Sequence, residues 1–322
     1  MKAAVVTQTG VELREVPAPV PGRNHVLVRV HACGLNRADL GVAAGHMHGS
    51  VGGAGTIVGM EFAGEVVEVG AEASAVKPGD RVMCSGVGAF AEYAVADWGR
   101  ATPIPASMRF EQAATLPVAL QTMHNALVTA GRLVAGESVL IQGASSGVGL
   151  MALQIAKHMG AALVIGSSTN AMRREKLKQF GVDLAIDATD PAWPDAVLAA
   201  TEGKGVHLII DQVSASVANA NMKAARVLGR IVNVGRLGGA KGEFDYDLHA
   251  LKRIDYIGVT FRTRSIEEVR EINRRMRADL WGAIEAGTLR LPIDRSFPLA
   301  EAAAALAHMR ANAHFGKIVL TA

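Results

Sequence analysis

The segment Val139 to Gln154, VLIQGASSGVGLMALQ, constrains the fold more than any other part of the chain. An apolar run, Val139-Leu140-Ile141, meets a glycine- and serine-rich turn from Gly143 to Gly149. A helical pattern follows at once, with Val148, Met151, Ala152, Ile155, Ala156 and Met159 recurring on one face. Strand, tight turn and helix in this order bring backbone N–H groups and the positive end of a helix up to an anion. That is the opening of a dinucleotide-binding unit, with the turn aimed at the pyrophosphate. A Cβ at Gly147 or Gly149 would obstruct the dinucleotide or the helix–strand contact. The spacing departs from simple G-x-G-x-x-G, and glycine turns also close strand–helix corners without a ligand, so the flanks carry the assignment.

The next apolar run, Ala162-Leu163-Val164-Ile165-Gly166, reads as the second parallel strand. A site selective for NAD places Asp or Glu near its end, about 20 residues beyond the turn, to accept ribose hydroxyls. Ser167, Ser168 and Thr169 stand there instead, with Arg173, Arg174 and Lys176 behind them. Hydroxyls leave room for a 2′-phosphate and guanidinium groups neutralise it, which favours NADPH.

The unit then repeats. Leu184–Asp187, Val206–Asp211, Arg230–Gly235 and Asp255–Val259 read as strands, with Ala-rich helical segments such as Ser214 to Leu228 between them. Six strands with nearly continuous apolar character predict an α/β fold, a Rossmann doubly wound parallel sheet covered on both faces.

A chain of 322 residues, half of them apolar and a fifth charged, has room for two cores. The formal charge of +3 includes no basic block suited to nucleic acid. The densest basic stretch, Arg262 to Arg277, alternates with Glu267, Glu268 and Glu271 and reads as a solvated helix. No apolar run is long enough to span a membrane, and the N-terminus shows no signal-peptide pattern. Two cysteines, Cys33 and Cys84, build no disulfide framework, so a reducing cytoplasm is the expectation.

The region before residue 118 alternates and turns like a β-domain, with strands at Lys2–Val6, Val26–Val30, Gly64–Val69, Arg81–Cys84 and Ala91–Val95. Gly316 to Leu320 reads as a short strand that returns to it. The boundaries fall near Pro117 and Arg262: residues 1–117, 118–262 and a returning 263–322.

Six motifs occur in order: Gly34-Leu35-Asn36-Arg37-Ala38-Asp39-Leu40, Gly59-Met60-Glu61-Phe62-Ala63-Gly64, Lys77-Pro78-Gly79-Asp80-Arg81-Val82, Ala114-Thr115-Leu116-Pro117, the turn from Ala144 to Gln154, and Gly316-Lys317-Ile318-Val319-Leu320. Together they give the chain an end-to-end resemblance to the medium-chain dehydrogenase/reductase superfamily, in its zinc-independent quinone oxidoreductase branch. The resemblance implies a β-rich, GroES-like catalytic domain beside the Rossmann domain. Zinc-dependent relatives use a Gly-His-Glu motif; here Met60 replaces its histidine, and methionine is a poor zinc ligand. No metal is expected, and Cys33 reads as a small buried residue. Short-chain dehydrogenases share a similar turn but need Tyr-x-x-x-Lys, and none of Tyr93, Tyr246 and Tyr256 has a lysine four residues on.

Function and site residues follow as implications of the resemblance. The expected reaction is hydride transfer from NADPH to a quinone or α,β-unsaturated carbonyl, which needs no Lewis acid because the acceptor spreads the incoming charge. Asn36 is expected at the nicotinamide and substrate edge and Thr122 on the nicotinamide side. Ser145, Ser146, Gly147 and Val148 would hold the pyrophosphate, Ser168 and Arg173 the 2′-phosphate, and Gly235 and Phe261 would line the nicotinamide pocket. Many relatives carry a tyrosine shortly after Asn-x-x-Asp; this chain has Gly41, Val42, His46 and Met47 there. His46 or His48 is the candidate proton donor, on a glycine-rich loop from Gly41 to Gly59 read as mobile. Two alternatives stay open: an alkene reductase for an enoyl thioester or 2-substituted acrylate, and an NADPH-binding sensor with little catalysis. An apolar final Rossmann strand near Asp255 to Phe261 predicts a homodimer through paired sheet edges.

Overall fold

A computed structural model describes residues 1–49 and 51–322. Ser50, inside the expected 41–59 loop, lies outside the described residues. The chain divides into two compact units, Met1–Gln121 with Phe261–Ala322, and Thr122–Thr260.

The first unit begins with an antiparallel pair, β1 (Lys2–Thr7) and β2 (Gly10–Glu15). It continues through β3 (His25–Gly34), β4 (Glu61–Val69), β5 (Arg81–Ser85), β6 (Tyr93–Asp97) and β7 (Ala101–Pro103). The second unit contains β8 (Ser138–Ile141), β9 (Leu163–Ser168), β10 (Leu184–Asp187), β11 (Val206–Asp211), β12 (Ala225–Asn233) and β13 (Asp255–Gly258). The chain then returns to the first unit with β14 (Ile293–Pro298) and β15 (Lys317–Thr321).

In the first unit the sheet order is β14-β15-β3-β4-β5-β7, with β6 also paired to β3. Its core is built by alternation: Val26, Val28 and Val30 of β3 meet Phe62 and Val66 of β4, Val82 and Cys84 of β5, and Ile318 and Leu320 of β15. β15 pairs with β3, with Val319 opposite Gly34 in an antiparallel ladder. The charged stretch after Arg264 forms the helix Ile266–Glu285, opened by a Ser265/Glu268 capping box. Glu271 pairs with Arg274 and Arg275 on its exposed side, while Arg270 reaches the buried Asp97 at 2.7 Å.

The second unit holds one parallel sheet in the order β10-β9-β8-β11-β12-β13. Leu140, Ile165, Ile209 and Ile231 from four neighbouring strands share one core. The strand order reverses direction between β8 and β11, and at such a switch point the loops beyond the strand ends diverge to leave a crevice. One expectation needs correction. The helical segment taken to reach Leu228 ends at Ala224, and Ala225 onward is strand. Lys252 donates to the carbonyls of Lys223 and Ala225, closing the helix end, and Leu228 adopts φ +62°. Alanine-rich composition favours helix but does not mark where a strand takes over.

Candidate functional site

In the second unit the site is built from the turn upward. Ser146 caps the helix Gly147–His158, accepting a hydrogen bond from the Gly149 N–H at 3.0 Å. Its hydroxyl lies 2.9 Å from the Gly143 carbonyl and 3.0 Å from Gln212 Oε1, so it also closes the turn on itself. Gly143 sits at φ +68°, the left-handed region that glycine occupies freely. A Cβ on Gly149 would stand 2.5 Å from the Gly143 carbonyl oxygen and 2.7 Å from Ala144 Cα. Gly149 is therefore required by the turn packing against its own helix. The expected pyrophosphate residues Ser145, Ser146, Gly147 and Val148 lie together, each half-buried, at this helix N-terminus.

Beside the turn, β9 ends in two buried serines. Ser168 Oγ lies 3.0 Å from Ser145 Oγ, so a residue expected at the 2′-phosphate meets one expected at the pyrophosphate. Arg173 lies in the first turn of the helix Ala171–Lys176, its backbone N–H capped by Asn170. Arg174 is committed elsewhere: it pairs with Asp187 at 2.8 Å and donates to the Ser168 carbonyl at 3.0 Å. Sequence reasoning found no acid at the end of β9 and overlooked Asp187, which stands opposite Ser168 on β10. Thr189 donates to that carboxylate from both its N–H and its hydroxyl, holding it below the usual range together with Arg174.

Beneath these loops lies a polar layer that no motif announced. Gln142, Ser167, Asp211, Gln212, Asn221 and Ser214 are all at most 6 % exposed. Gln212 Nε2 donates to the Gln142 carbonyl at 2.9 Å. Ser214 donates to the carbonyl of Gly235 at 2.5 Å, which ties the loop after β11 to the loop after β12. Burial raises the Asp211 carboxyl, against the lowering effect of the Ser214 and Val213 N–H groups and the Asn221 amide.

The first unit gathers a second group. Asn36 is the N-cap of the helix Arg37–Ala43, and its N–H donates to Asp39 Oδ2 at 2.7 Å. Its side-chain Nδ2 donates to Glu61 Oε1 at 2.9 Å, and its Oδ1 accepts from Lys317 Nζ at 3.0 Å. Lys317 and Glu61 are themselves ion-paired, at 4 % and 0 % side-chain exposure, and Glu61 Oε2 accepts the Val118 N–H at 2.8 Å. Asp39 is fully buried and its Oδ1 has no hydrogen-bond partner among the described residues. Burial pushes its carboxyl up to about 7, against the Asn36 N–H and the Lys317 charge. Glu61 and Lys317 escaped the sequence assignment; each is a charged residue at the first position of its strand.

Cys33 is fully buried and donates to the Ala89 carbonyl at 2.8 Å, and burial raises its thiol pKa. Met60 packs half-buried on the core. Among the described residues no three His, Cys, Asp or Glu side chains are grouped to hold a metal ion. His46 is exposed just after the helix, and His48 is partly buried, its pKa lowered by burial and by Arg262. Thr122 lies half-buried within the helix Pro117–His124. The final Rossmann strand stops at Gly258, so Phe261 stands beyond it, in the first unit, with Arg264 over its ring at 6.0 Å.

At the outer edge of the second unit, Phe244, Tyr246, His249 and Tyr256 cluster along β13, with Tyr246 77 % exposed. Val259 donates its N–H inward to the Asn233 carbonyl at 3.1 Å.

Residues 22–106 match the family described as alcohol dehydrogenase GroES-like domain, and residues 147–277 the family described as zinc-binding dehydrogenase. Quinone oxidoreductase of Rattus norvegicus is 30% identical over 309 residues, 95% of this chain and 92% of that protein. Polyketide synthase GfsB of Streptomyces halstedii is 32% identical over 301 residues, 92% of this chain but 5% of that protein. The chain thus spans a small fraction of the length of such synthases. A mycobacterial protein solved in complex with NADPH has a TM-score of 0.88 at 27% identity, with 100% of both chains covered.

Proposed function

The chain belongs to the quinone oxidoreductase branch of the medium-chain dehydrogenase/reductase superfamily, and on that premise we propose a metal-independent oxidoreductase in which NADPH supplies hydride to a quinone or an α,β-unsaturated carbonyl. The observation that carries the cofactor reading is the serine-lined end of β9 beside the capped turn, with Ser145 and Ser168 in contact and Arg173 in the first turn of the helix that follows. The N-terminus of the helix Gly147–His158, with the turn packed closely onto it at Gly149, suits a pyrophosphate. Ser145 to Val148 hold it, and Ser168 and Arg173 select the 2′-phosphate. The relative solved with NADPH supports the same choice.

Metal independence rests on the donor set. Cys33 spends its thiol on the Ala89 carbonyl, and Met60 occupies the place of the family's zinc-ligating histidine. Charge developing on the acceptor oxygen then needs a hydrogen-bond donor. Asn36 is suited to this role, because its Oδ1 is committed to Lys317 and one Nδ2 hydrogen to Glu61. The remaining Nδ2 hydrogen leaves Asn36 a donor to offer the ligand. His46, exposed and untethered to this group, is retained only as a secondary candidate for proton delivery.

An alkene reductase acting on an enoyl thioester or 2-substituted acrylate is the second reading, favoured by the alignment of nearly the whole chain with a segment of a polyketide synthase. NADPH consumption against 1,4-benzoquinone, 9,10-phenanthrenequinone, an enone, an enoyl-CoA and a haloacrylate separates the two. Turnover of quinones supports the first reading, and turnover confined to the thioester or acrylate replaces it with the second. NADPH binding without turnover of any acceptor refutes both in favour of a sensor. We further propose a homodimer joined at the β13 edge, since the cluster along that strand is apolar and exposed and one side of the strand has no partner strand among the described residues. The buried, free thiols of Cys33 and Cys84 accord with a cytoplasmic setting.

A further inference from the structure

Four side chains beneath the dinucleotide turn form a single directed line. Asp211 Oδ1 accepts the N–H groups of Val213 and Ser214 at 2.8 and 2.9 Å, which fixes the carboxylate at the end of β11. Its Oδ2 accepts Asn221 Nδ2 at 3.0 Å. Asn221 Oδ1 in turn accepts Gln142 Nε2 at 2.8 Å, and Gln142 Oε1 accepts the Ser167 hydroxyl at 2.5 Å. Ser167 Oγ then accepts the N–H of Gly143, the first residue of the turn, at 3.0 Å.

Each amide in this line has one donor end and one acceptor end, so the orientation of one dictates the next. An ionised carboxylate only accepts. Asp211 therefore obliges Asn221 to present its NH2 group to it and its oxygen to Gln142, and Gln142 to present its oxygen to Ser167. The hydroxyl hydrogen is thereby spent on Gln142, and a lone pair of Ser167 faces the Gly143 N–H. With every member at most 1 % exposed, water does not intervene to correct a wrong sense.

We infer that Asp211, Asn221 and Gln142 are positioning residues for the dinucleotide: the carboxylate at one end of the line sets the hydrogen-bond polarity that holds the Gly143 turn at the other. The inference rests on the dinucleotide reading of that turn. It requires one carboxylate in the line and does not require that carboxylate to be at position 211.

Exchange experiments test this on the full chain, reading the dissociation constant of NADPH by fluorescence titration and stability by thermal melting. Asp211→Asn offers an NH2 group where Asn221 also offers one. Asn221 and Gln142 turn over, Gln142 donates to Ser167, and the Ser167 hydroxyl hydrogen loses its acceptor. The folded variant binds NADPH roughly tenfold more weakly, the order expected for one misplaced buried hydrogen bond. Moving the carboxylate along the line restores the sense. In Asp211→Asn/Asn221→Asp, the relocated carboxylate accepts from both neighbours. In Asp211→Asn/Gln142→Glu, it accepts from Asn221 and Ser167.

Both double variants bind NADPH within about threefold of wild type, whereas Gln142→Glu alone, with two carboxylates, binds as poorly as Asp211→Asn. Should Asp211→Asn fail to fold, the Gln142→Glu single and double variants carry the same comparison. A folded single variant with wild-type affinity overturns the inference. So do double variants that recover melting temperature but not affinity, the pattern of a merely structural network. Failure of wild type to bind NADPH or NADH instead refutes the dinucleotide reading and is distinguishable from either result.

Discussion

Alanine at Gly149 separates the demands of the dinucleotide turn from ordinary helix propensity. In an unobstructed helix a glycine-to-alanine change stabilises by about 0.5–1 kcal/mol. Gly282, exposed near the end of the helix Ile266–Glu285, has nothing within 4 Å of an added Cβ and supplies that baseline. At Gly149 the same methyl meets the Gly143 carbonyl oxygen at 2.5 Å, Ala144 Cα at 2.7 Å and Ala144 C at 2.8 Å. All three are backbone atoms and cannot swing aside. Overpacking of this kind costs about 1–3 kcal/mol, so the propensity gain is offset and the net effect is destabilisation by about 0–2 kcal/mol. The two variants should differ by about 1–3 kcal/mol, or several degrees in thermal melting. Displacing Gly143 also shifts the N–H groups meant for the pyrophosphate, so NADPH affinity falls for Gly149→Ala and not for Gly282→Ala. Equal melting temperatures together with unchanged NADPH affinity would refute the reasoning.

Arg173→Ala should weaken NADPH by about 1.5–3 kcal/mol and leave NADH nearly untouched, and equal effects on both cofactors in titrations would remove Arg173 from the 2′-phosphate site. Lys317→Met strands the buried Glu61 carboxylate and should cost about 3–5 kcal/mol in denaturation, most of it recovered by adding Glu61→Gln; a double variant no better than the single one contradicts the pairing. Asp39, with its carboxyl raised to about 7, is held protonated in the folded chain at pH 5. Its contribution is complete below the ordinary carboxylate range and is lost as pH rises through 7. The stability advantage of Asp39→Asn over wild type should therefore grow by about 3 kcal/mol between pH 5 and pH 8, and a gap independent of pH would exclude this assignment. Light scattering of wild type should give twice 33.6 kDa. The informative substitution is Gly258→Pro: Val259 uses its N–H at Asn233, and the two-residue alternation of a strand turns the Gly258 backbone outward. A folded Gly258→Pro variant that remains dimeric places the interface elsewhere.

Legibility in the sequence followed burial. The six strands of the second unit were recognisable because both faces of a parallel sheet are covered, which leaves apolar runs such as Val139 to Ile141. The strands that escaped notice lie where one side is wet or the strand is brief. β2 reads GVELRE and β14 reads IDRSFP, each with mostly exposed or half-exposed residues, and β7 has three residues. The turn and its serines were visible because a phosphate cradle is local in sequence. Glu61 and Lys317 were not, because their partnership with Asn36 exists only after residues 256 positions apart are brought together. The line from Asp211 to Gly143 was hidden for the same reason: the ends of β8, β9 and β11 and a helix supply it, and no spacing rule connects them.

The pairing of Glu61 with Lys317 also orders events during synthesis. Glu61 is fully buried by strands that leave the ribosome early, yet its cation follows 256 residues later, roughly 13 to 50 s at ordinary elongation rates. Through that interval the nascent first unit lacks both β15 and the counter-charge for a fully buried carboxylate. The second unit has its whole sheet between Ser138 and Gly258 and waits for nothing downstream. Translation therefore presents a finished nucleotide unit on a tether to an unfinished β-domain, and it is the nascent β-domain that exposes unpaired strand edges to chaperones.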